Sequence, residues 1–215
     1  MIWDITDLNN VKNLVFERDG NNLFFIEEID SLKNYMAISG NSFPYPTSMK
    51  RVESQNLHGL SSADVIIITN SKFFQSAATL KTFHEQEGLS VHVVSDQQIY
   101  NEFSSGMRDA TALKQFLRMF YVRGSGIPNQ IPKYCVLIGD GTYDNRNILD
   151  HGNNLLPVFE SQESLSKLNT FATDDFFAIL SDGGSMRNTD LLNIAIGRLT
   201  VSTEQEAMDL SLIHI

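Results

Sequence analysis

Two acidic segments hold the residue types nearest to chemistry. Gly139-Asp140-Gly141-Thr142-Tyr143-Asp144 directly follows an apolar run, and Thr173-Asp174-Asp175 precedes another. Asp140 and Asp144 could hold a cation such as calcium through hard carboxylate oxygens, or orient another side chain. The same spacing suits a tight Gly-Asp turn whose carboxylates cap free backbone N–H groups, and that is the preferred reading. It is not a dinucleotide fingerprint, because a third glycine is missing and no helix clearly follows. Asp174 and Asp175 are adjacent, so on a strand they point to opposite faces and cannot form a facing acid/base pair. One of them can reach back toward Asp140 or Arg146. The plainer reading is a turn that leads into a strand.

Cys135 is the one cysteine of the chain, so no intrachain disulfide can form, and the redox compartment stays open. It lies inside Tyr134-Cys135-Val136-Leu137-Ile138, a run expected to be a strand covered on both faces. A nucleophilic thiolate needs partial exposure and an electropositive neighbour, and such a strand offers neither. Cys135 therefore reads as structural. His58, His84, His92, His151 and His214 share no metal-like spacing. His84 falls on a helix face and His92 alternates within a strand, so both read as packed or solvated. There is no Gly-x-Ser-x-Gly elbow and no phosphate loop ending in Gly-Lys-Ser/Thr. The residues thus name no catalytic, cofactor-binding or metal position. A cation at the acidic loop, near Asp140, Asp144, Asp174 or Asp175, is the one cofactor left open.

The elements that would position these residues are legible. The chain has 215 residues, 42% of them apolar, enough for one ordinary domain plus a smaller piece. Its net charge is −10 and no basic stripe is present, which argues against a nucleic-acid binder. Lys114, Arg118 and Arg123 share one expected helix and read as a solvated face. No apolar run reaches membrane-span length, and Met1-Ile2-Trp3-Asp4 is not a signal peptide, so the chain is either cytosolic or starts further upstream.

Residues 1–57 read as β-rich. A hairpin is expected from strands over 11–17 and 23–28, turning through 18–22, with a third strand over 34–39. Phe43-Pro44-Tyr45-Pro46 then forbids regular structure. From residue 58 the pattern is strand 64–69, helix 71–87, strand 90–94, a helix over 97–103 capped by Asp96, a longer helix capped by Asp109, and strand 134–138. In the first helix Phe73, Ala77, Leu80 and His84 share a side, with Phe74, Ala78 and Lys81 beside them. Gly88 is placed to end it in a left-handed conformation. The order implies an α/β fold, a parallel sheet flanked by helices with right-handed crossovers. A long loop over 139–157, strands over 175–180 and 192–197, and a helix starting near Ser202 complete the reading.

Several segments in fixed order carry a resemblance. They are Trp3-Asp4-Ile5-Thr6-Asp7, Gln55-Asn56-Leu57-His58-Gly59-Leu60, Ala63-Asp64-Val65-Ile66-Ile67-Ile68-Thr69, Val91-His92-Val93-Val94, Ile99-Tyr100-Asn101-Glu102-Phe103-Ser104-Ser105-Gly106, Asp109-Ala110-Thr111-Ala112, the two acidic segments and Ile196-Gly197-Arg198-Leu199. Together they resemble the gingipain family of cysteine peptidases over about residues 1–210. They are nearest to its sortase branch, which serves the type IX secretion system. The resemblance implies a Rossmann- or caspase-like fold in two sub-domains, preceded by β-rich segments. Residues 1–57 would be the end of an upstream β-rich domain and 58–210 the first α/β sub-domain. Residues 211–215, which do not resemble the family, would be a truncated or spurious end.

The family's dyad is a histidine in a Gly-His-Gly turn and a cysteine in an Ala-Cys-type turn, both in the second sub-domain. Both lie well beyond the Ile-Gly-Arg segment, here Ile196-Gly197-Arg198, after which only 17 residues follow. His151-Gly152 precedes that segment and is not the family's histidine. No catalytic residue carries over, and the fragment alone is expected to be inactive. The implied task of the intact enzyme is removal of C-terminal signal domains from secreted protein cargo and transfer to a surface anchor. The implied partners are that cargo and outer-membrane secretion proteins, and the implied place is the cell surface. The alternative is a non-catalytic α/β binding module holding a cation or a partner at residues 139–144 and 173–175. A hydrolase using Asp140 is weaker, since no partner base is visible.

Overall fold

The computed structural model describes residues 1–213, apart from residues 29, 41, 42, 44, 146, 150, 164 and 187–189 and the side chains of 212 and 213. The chain divides into two compact units, Met1–Val52 and Glu53–Ile215.

In the first unit, β1 (Ile2–Asp4) pairs antiparallel with β2 (Lys12–Leu14) on one side. A separate hairpin joins β3 (Glu17–Asp19) to β4 (Asn22–Phe24), and β5 (Tyr35–Ala37) takes the other side of β1. The expected hairpin is therefore corrected. Residues 12–14 leave it for β1, and the turn shrinks to Gly20-Asn21, with Asp19 opposite Asn22. Two residues suffice because Gly20 takes a φ of +59°. Pro44 of the expected breaker lies outside the described residues. Few side chains of this unit are buried, Ile2 and Asp4 among them, while Val15 and Ile26 stand in solvent.

In the second unit, Val65-Ile66-Ile67-Ile68-Thr69 forms β6 (Val65–Thr69), buried at every position. A 3₁₀ turn, whose Asn70 side chain accepts from Lys72 N, leads into α1 (Phe74–Gln86). Gly88, at φ +86°, turns the chain left-handed into β7 (Val91–Ser95). Then come α2 (Asp96–Phe103), α3 (Ala110–Gly124) and β8 (Tyr134–Ile138). The two-residue strands β9 (Phe159–Glu160) and β10 (Ala172–Thr173) pair with each other. They are followed by α4 (Asp175–Ala178), β11 (Ala195–Leu199) and α5 (Glu204–Ile213). The sheet runs β11-β8-β6-β7, all parallel. Asp64 aligns the starts of three strands: its carboxylate accepts from Ser90 N at 3.0 Å, Ser90 Oγ at 2.7 Å and Lys133 Nζ at 2.8 Å.

The alternation of a strand sorts the core into two layers. Val65 and Ile67 pack with Phe73, Ala77, Leu80 and Ala207 beneath α1 and α5. Ile66 and Ile68 pack with Ile99, Leu113, Phe116, Leu117 and Phe177 beneath α2, α3 and α4. Phe103, Phe116 and Phe120 meet edge to face at 5.7 and 5.3 Å. Each fully buried side chain of this kind contributes about 2–3 kcal/mol. No helix among the described residues is long and apolar enough to cross a membrane.

Several expectations change in detail. On α1, Phe74 and Ala78 are exposed, and buried Ser76 takes their place, its N–H and hydroxyl donating to Glu204 Oε1 of α5. The cap of α2 is Ser95, not Asp96. Ser95 is extended and forms a reciprocal capping box with Gln98, which leaves Asp96 as the first helical residue. Asp109 caps α3 as expected, accepting from Thr111 N at 2.8 Å. Residues 175–180 are not a strand. Asn193 Oδ1 accepts from Leu180 N and Ser181 N, removing donors that a neighbouring strand would use, and the edge of the sheet goes to β11. Nor are the three basic residues of α3 merely solvated. Lys114 sits 4.3 Å over the Phe176 ring, Arg118 pairs with Asp182, and Arg123 donates to His58 O at 2.7 Å.

Glu102 of α2 anchors the segment entering this unit. Its carboxylate accepts from Leu57 N (2.6 Å), His58 N (3.1 Å), His58 Nδ1 (2.6 Å) and Gln55 Nε2 (2.9 Å). Burial pushes its pKa up, but these bonds outweigh burial and hold it at about 2, below the ordinary 4.5. The native carboxylate stays charged where the unfolded one protonates. Its stabilisation is complete above about pH 4.5 and fades as pH falls toward 2. Glu102→Ala is expected to cost about 2 kcal/mol in urea denaturation at pH 7, and clearly less at pH 2.5.

Candidate functional site

In an open parallel sheet, ligands collect beyond the carboxyl ends of the strands, above all where the strand order reverses. Here the reversal lies between β6 and β8, and the long loop over residues 139–157 fills it. Asp140 O accepts from Leu155 N and Leu156 N, both at 3.0 Å, and Asn70 Nδ2 donates to Leu155 O at 3.0 Å. Leu156 is fully buried. The glycines of the Gly-Asp-Gly segment serve this packing. A Cβ on Gly141 would stand 2.6 Å from Leu156 O, and Gly139 takes a φ of +137°, a backbone that L side chains rarely adopt. The crevice is occupied by the chain's own leucines.

Arg198 of β11 ties the site together. Its Nε donates to Asp174 Oδ2 (2.8 Å) and its Nη2 to Asp174 Oδ1 (2.6 Å) and Pro157 O (2.8 Å). Its Nη1 donates to Gly139 O (2.8 Å) and Leu156 O (3.1 Å). A guanidinium has five N–H donors, and all five are engaged. The Arg198 side chain is 6% exposed. Sequence reasoning had Asp174 or Asp175 reaching toward Asp140 or Arg146. Asp174 instead pairs with Arg198, Arg146 lies outside the described residues, and exposed Asp175 opens α4 with its N–H on Thr173 Oγ1. The findable signal was an acidic segment and an arginine segment, one just after the short strand β10 and the other within β11 of the main sheet.

The other acidic residues serve the loop. Asp140 Oδ1 accepts from Gly141 N, and the two carboxylate oxygens of Asp144 accept from Ile148 N (2.8 Å) and Leu149 N (2.7 Å). These are turn-capping roles. Among the described residues, no three or more His, Cys, Asp or Glu side chains converge as a metal site.

A polar cluster that the sequence did not announce lies beside the loop. Asp96 is 6% exposed at the start of α2, with Tyr100 one turn on. Arg108 Nη2 donates to Asn154 O at 2.5 Å, and Asn154 Nδ2 donates to Asp144 O at 3.0 Å. Burial pushes the Asp96 carboxyl up to about 6, against the pull of the Gln97 N–H and of the Arg108 charge. Burial, with the nearby Asp96 charge, also raises the Tyr100 hydroxyl well above its ordinary range.

Cys135 is 1% exposed and packs in the layer beneath α2 and α3. Burial raises its thiol far above the ordinary range, the Asp174 charge adds to this, and Arg198 opposes it. The described imidazoles lie apart from it. His58 stacks on Phe103 at 4.5 Å and bonds Glu102, while His92 Nε2 meets Ser61 O at 2.9 Å. His84 lies 3.6 Å from Glu87, His151 is exposed, and His214 lies outside the described residues. The arrangement positions loops; among the described residues it brings no imidazole to the thiol.

Two outcomes follow from this geometry. Arg198→Ala should cost about 3–5 kcal/mol in chemical denaturation and speed amide exchange across residues 139–157. Arg198→Lys should restore little, because one ammonium cannot meet five bonds. Asp96, ordinarily near 3.8, favours the native state below that pH, and the advantage is lost as pH rises through about 6. Asp96→Asn should therefore stabilise the chain by about 2 kcal/mol at pH 8 and leave it nearly unchanged at pH 3.5, measured by urea denaturation.

Comparison with known proteins agrees with this architecture. The family model for Peptidase family C25 matches residues 58–211. The crystal structure of dimeric latent PorU from Porphyromonas gingivalis is similar at TM-score 0.65 and 35% identity, over 74% of this chain and 16% of that one. A second solved structure, described as a protease, reaches TM-score 0.49 at 14% identity, over 68% of this chain and 26% of that one, too little to carry an argument. A comparison with curated proteins returned no match. The chain thus spans only 16% of the length of the PorU structure. With its family match covering most of its length, the chain belongs to peptidase family C25, the gingipain family of cysteine peptidases.

Proposed function

We propose that this chain is the scaffold half of a PorU-like cysteine peptidase of the sortase type. Residues 58–210 form its first α/β sub-domain, and residues 1–57 the end of a preceding β-rich region. The nucleophilic cysteine and its histidine come from polypeptide beyond residue 215. The intact enzyme attacks a peptide carbonyl with a thiolate, histidine carries the proton, and backbone N–H groups hold the oxyanion. Its substrates are secreted proteins with C-terminal signal domains, handled at the cell surface within type IX secretion.

The observation that carries this reading is the position of Cys135. It lies in the middle layer of a family built for thiol chemistry, yet β6 and β11 flank its strand and its side chain is sealed in the core. A thiol so placed cannot approach a peptide carbonyl without unfolding the sheet. In this role the chain supplies the sheet and the loop anchored by the Arg198–Asp174 pair.

Alkylation tests the reading. In the native chain, Cys135 should react with iodoacetamide roughly 100-fold or more slowly than in urea, because reaction waits on opening of the core. The isolated chain should cleave no peptide in a thiol-dependent manner. Cleavage that iodoacetamide blocks and Cys135→Ala abolishes would overturn the proposal.

A further inference from the structure

A cleft of about 550 Å³ opens between the β9–β10 hairpin, α4, the turn at residues 184–186 and the side of α3. That volume suits a small ligand, and the thiol chemistry proposed above makes no use of it. Its wall is aromatic. Phe159 and Phe176 stack with their ring centroids 4.4 Å apart, and Phe176 meets the fully buried Phe177 edge to face at 5.6 Å. Phe171, 45% exposed, and the partly buried Met186 line it as well. One cation enters this wall. Lys114 of α3 holds its Nζ 4.3 Å over the Phe176 ring.

The other two basic side chains of α3 each have an oxygen: Arg118 pairs with Asp182, and Arg123 donates to His58 O. Among the described residues the Lys114 ammonium meets no carboxylate and no hydrogen-bond acceptor, only the ring. A ring face offsets a partly desolvated ammonium only in part. Burial, with the Arg118 charge, accordingly pulls the Lys114 pKa below its ordinary value. An anion would supply the missing acceptor through a charge-assisted bond. Glu163 also lines the cleft, but it is exposed, where water weakens its repulsion. Its charge favours a ligand with one negative group over one with two. An inorganic anion would leave the rings uncovered, and a neutral apolar molecule would leave the ammonium unmatched. We propose that this cleft binds a small monocarboxylate with an aromatic body. The ring of the ligand packs among Phe159, Phe171 and Phe176, and its carboxylate accepts from Lys114 Nζ. This goes beyond the peptidase reading, since neither Cys135 nor Arg198 lines the cleft.

The probes are 3-phenylpropionate, its neutral amide 3-phenylpropionamide, and acetate, each titrated to millimolar concentration into the ¹⁵N-labelled chain at neutral pH. The Gly184 and Ser185 amide resonances should shift saturably with 3-phenylpropionate. The amide and acetate should each bind roughly 10-fold or more weakly, the first for want of charge and the second for want of a ring. Lys114→Met keeps an apolar stem beside Phe176 and removes the charge. It should weaken the acid roughly 10-fold and leave the amide unchanged, so the preference for the acid disappears. Phe171→Ser, at an exposed position, should weaken acid and amide alike. Gly184 and Ser185 resonances indifferent to the acid would overturn the proposal. Equal binding of acid and amide by the native chain would do the same, and that comparison needs no variant to fold. So would an acid preference that survives Lys114→Met. None of these readouts involves a thiol, so this site and the peptidase reading fail separately.

Discussion

The Arg198 guanidinium has its full set of N–H donors engaged within the protein, and the carboxyl end of the sheet is organised around it. It joins three stretches that are far apart in sequence: the turn after β8, the end of the long loop at Leu156 and Pro157, and the turn before α4 at Asp174. Removing this many donors from water is costly unless each finds an acceptor. Bidentate pairing with Asp174 and three backbone carbonyls meets that condition. The loop is thereby pressed into the reversal point of the sheet, where its leucines take the space that a small ligand would otherwise use.

The same pair bears on the chemistry. A reactive cysteine needs a neighbouring positive charge to favour its thiolate. Arg198 is the cation felt at Cys135, but Asp174 offsets its charge and pushes the thiol the other way. Burial adds the larger effect. The sheet therefore keeps its sulfur neutral. Asp96 shows the opposite compromise, a buried carboxyl that lowers stability near neutral pH, beside three unpaired polar atoms.

What was legible in the sequence was what local periodicity dictates. The continuous apolar run of β6, the Gly88 stop and the Asp109 cap each act within a few residues, and each appears where expected. The run Phe176-Phe177-Ala178-Ile179-Leu180 misled, because an unbroken apolar stretch fits a buried strand or a buried helix equally well. Asn193, more than ten residues away, settles it by taking the donors of Leu180 and Ser181. Ser95 displaced Asp96 as a cap because Gln98 completes a reciprocal box that Asp96 has no partner to match. At the site, both halves of the clamp were visible as separate segments, but their pairing across 24 residues was not. The cluster of Tyr100, Arg108 and Asn154 left no local signature, since its members come from a helix, a turn and a loop.

The sheet holds Cys135, the one cysteine of the sequence, as a neutral, sealed thiol. Thiolate absorbance near 240 nm, followed from pH 6 to 10 in the native chain, tests it most directly. The account predicts no rise over that range in native chain and a normal thiolate step, near pH 8.5, once the chain is unfolded in urea. A native thiolate step at or below about pH 8.5 would contradict it.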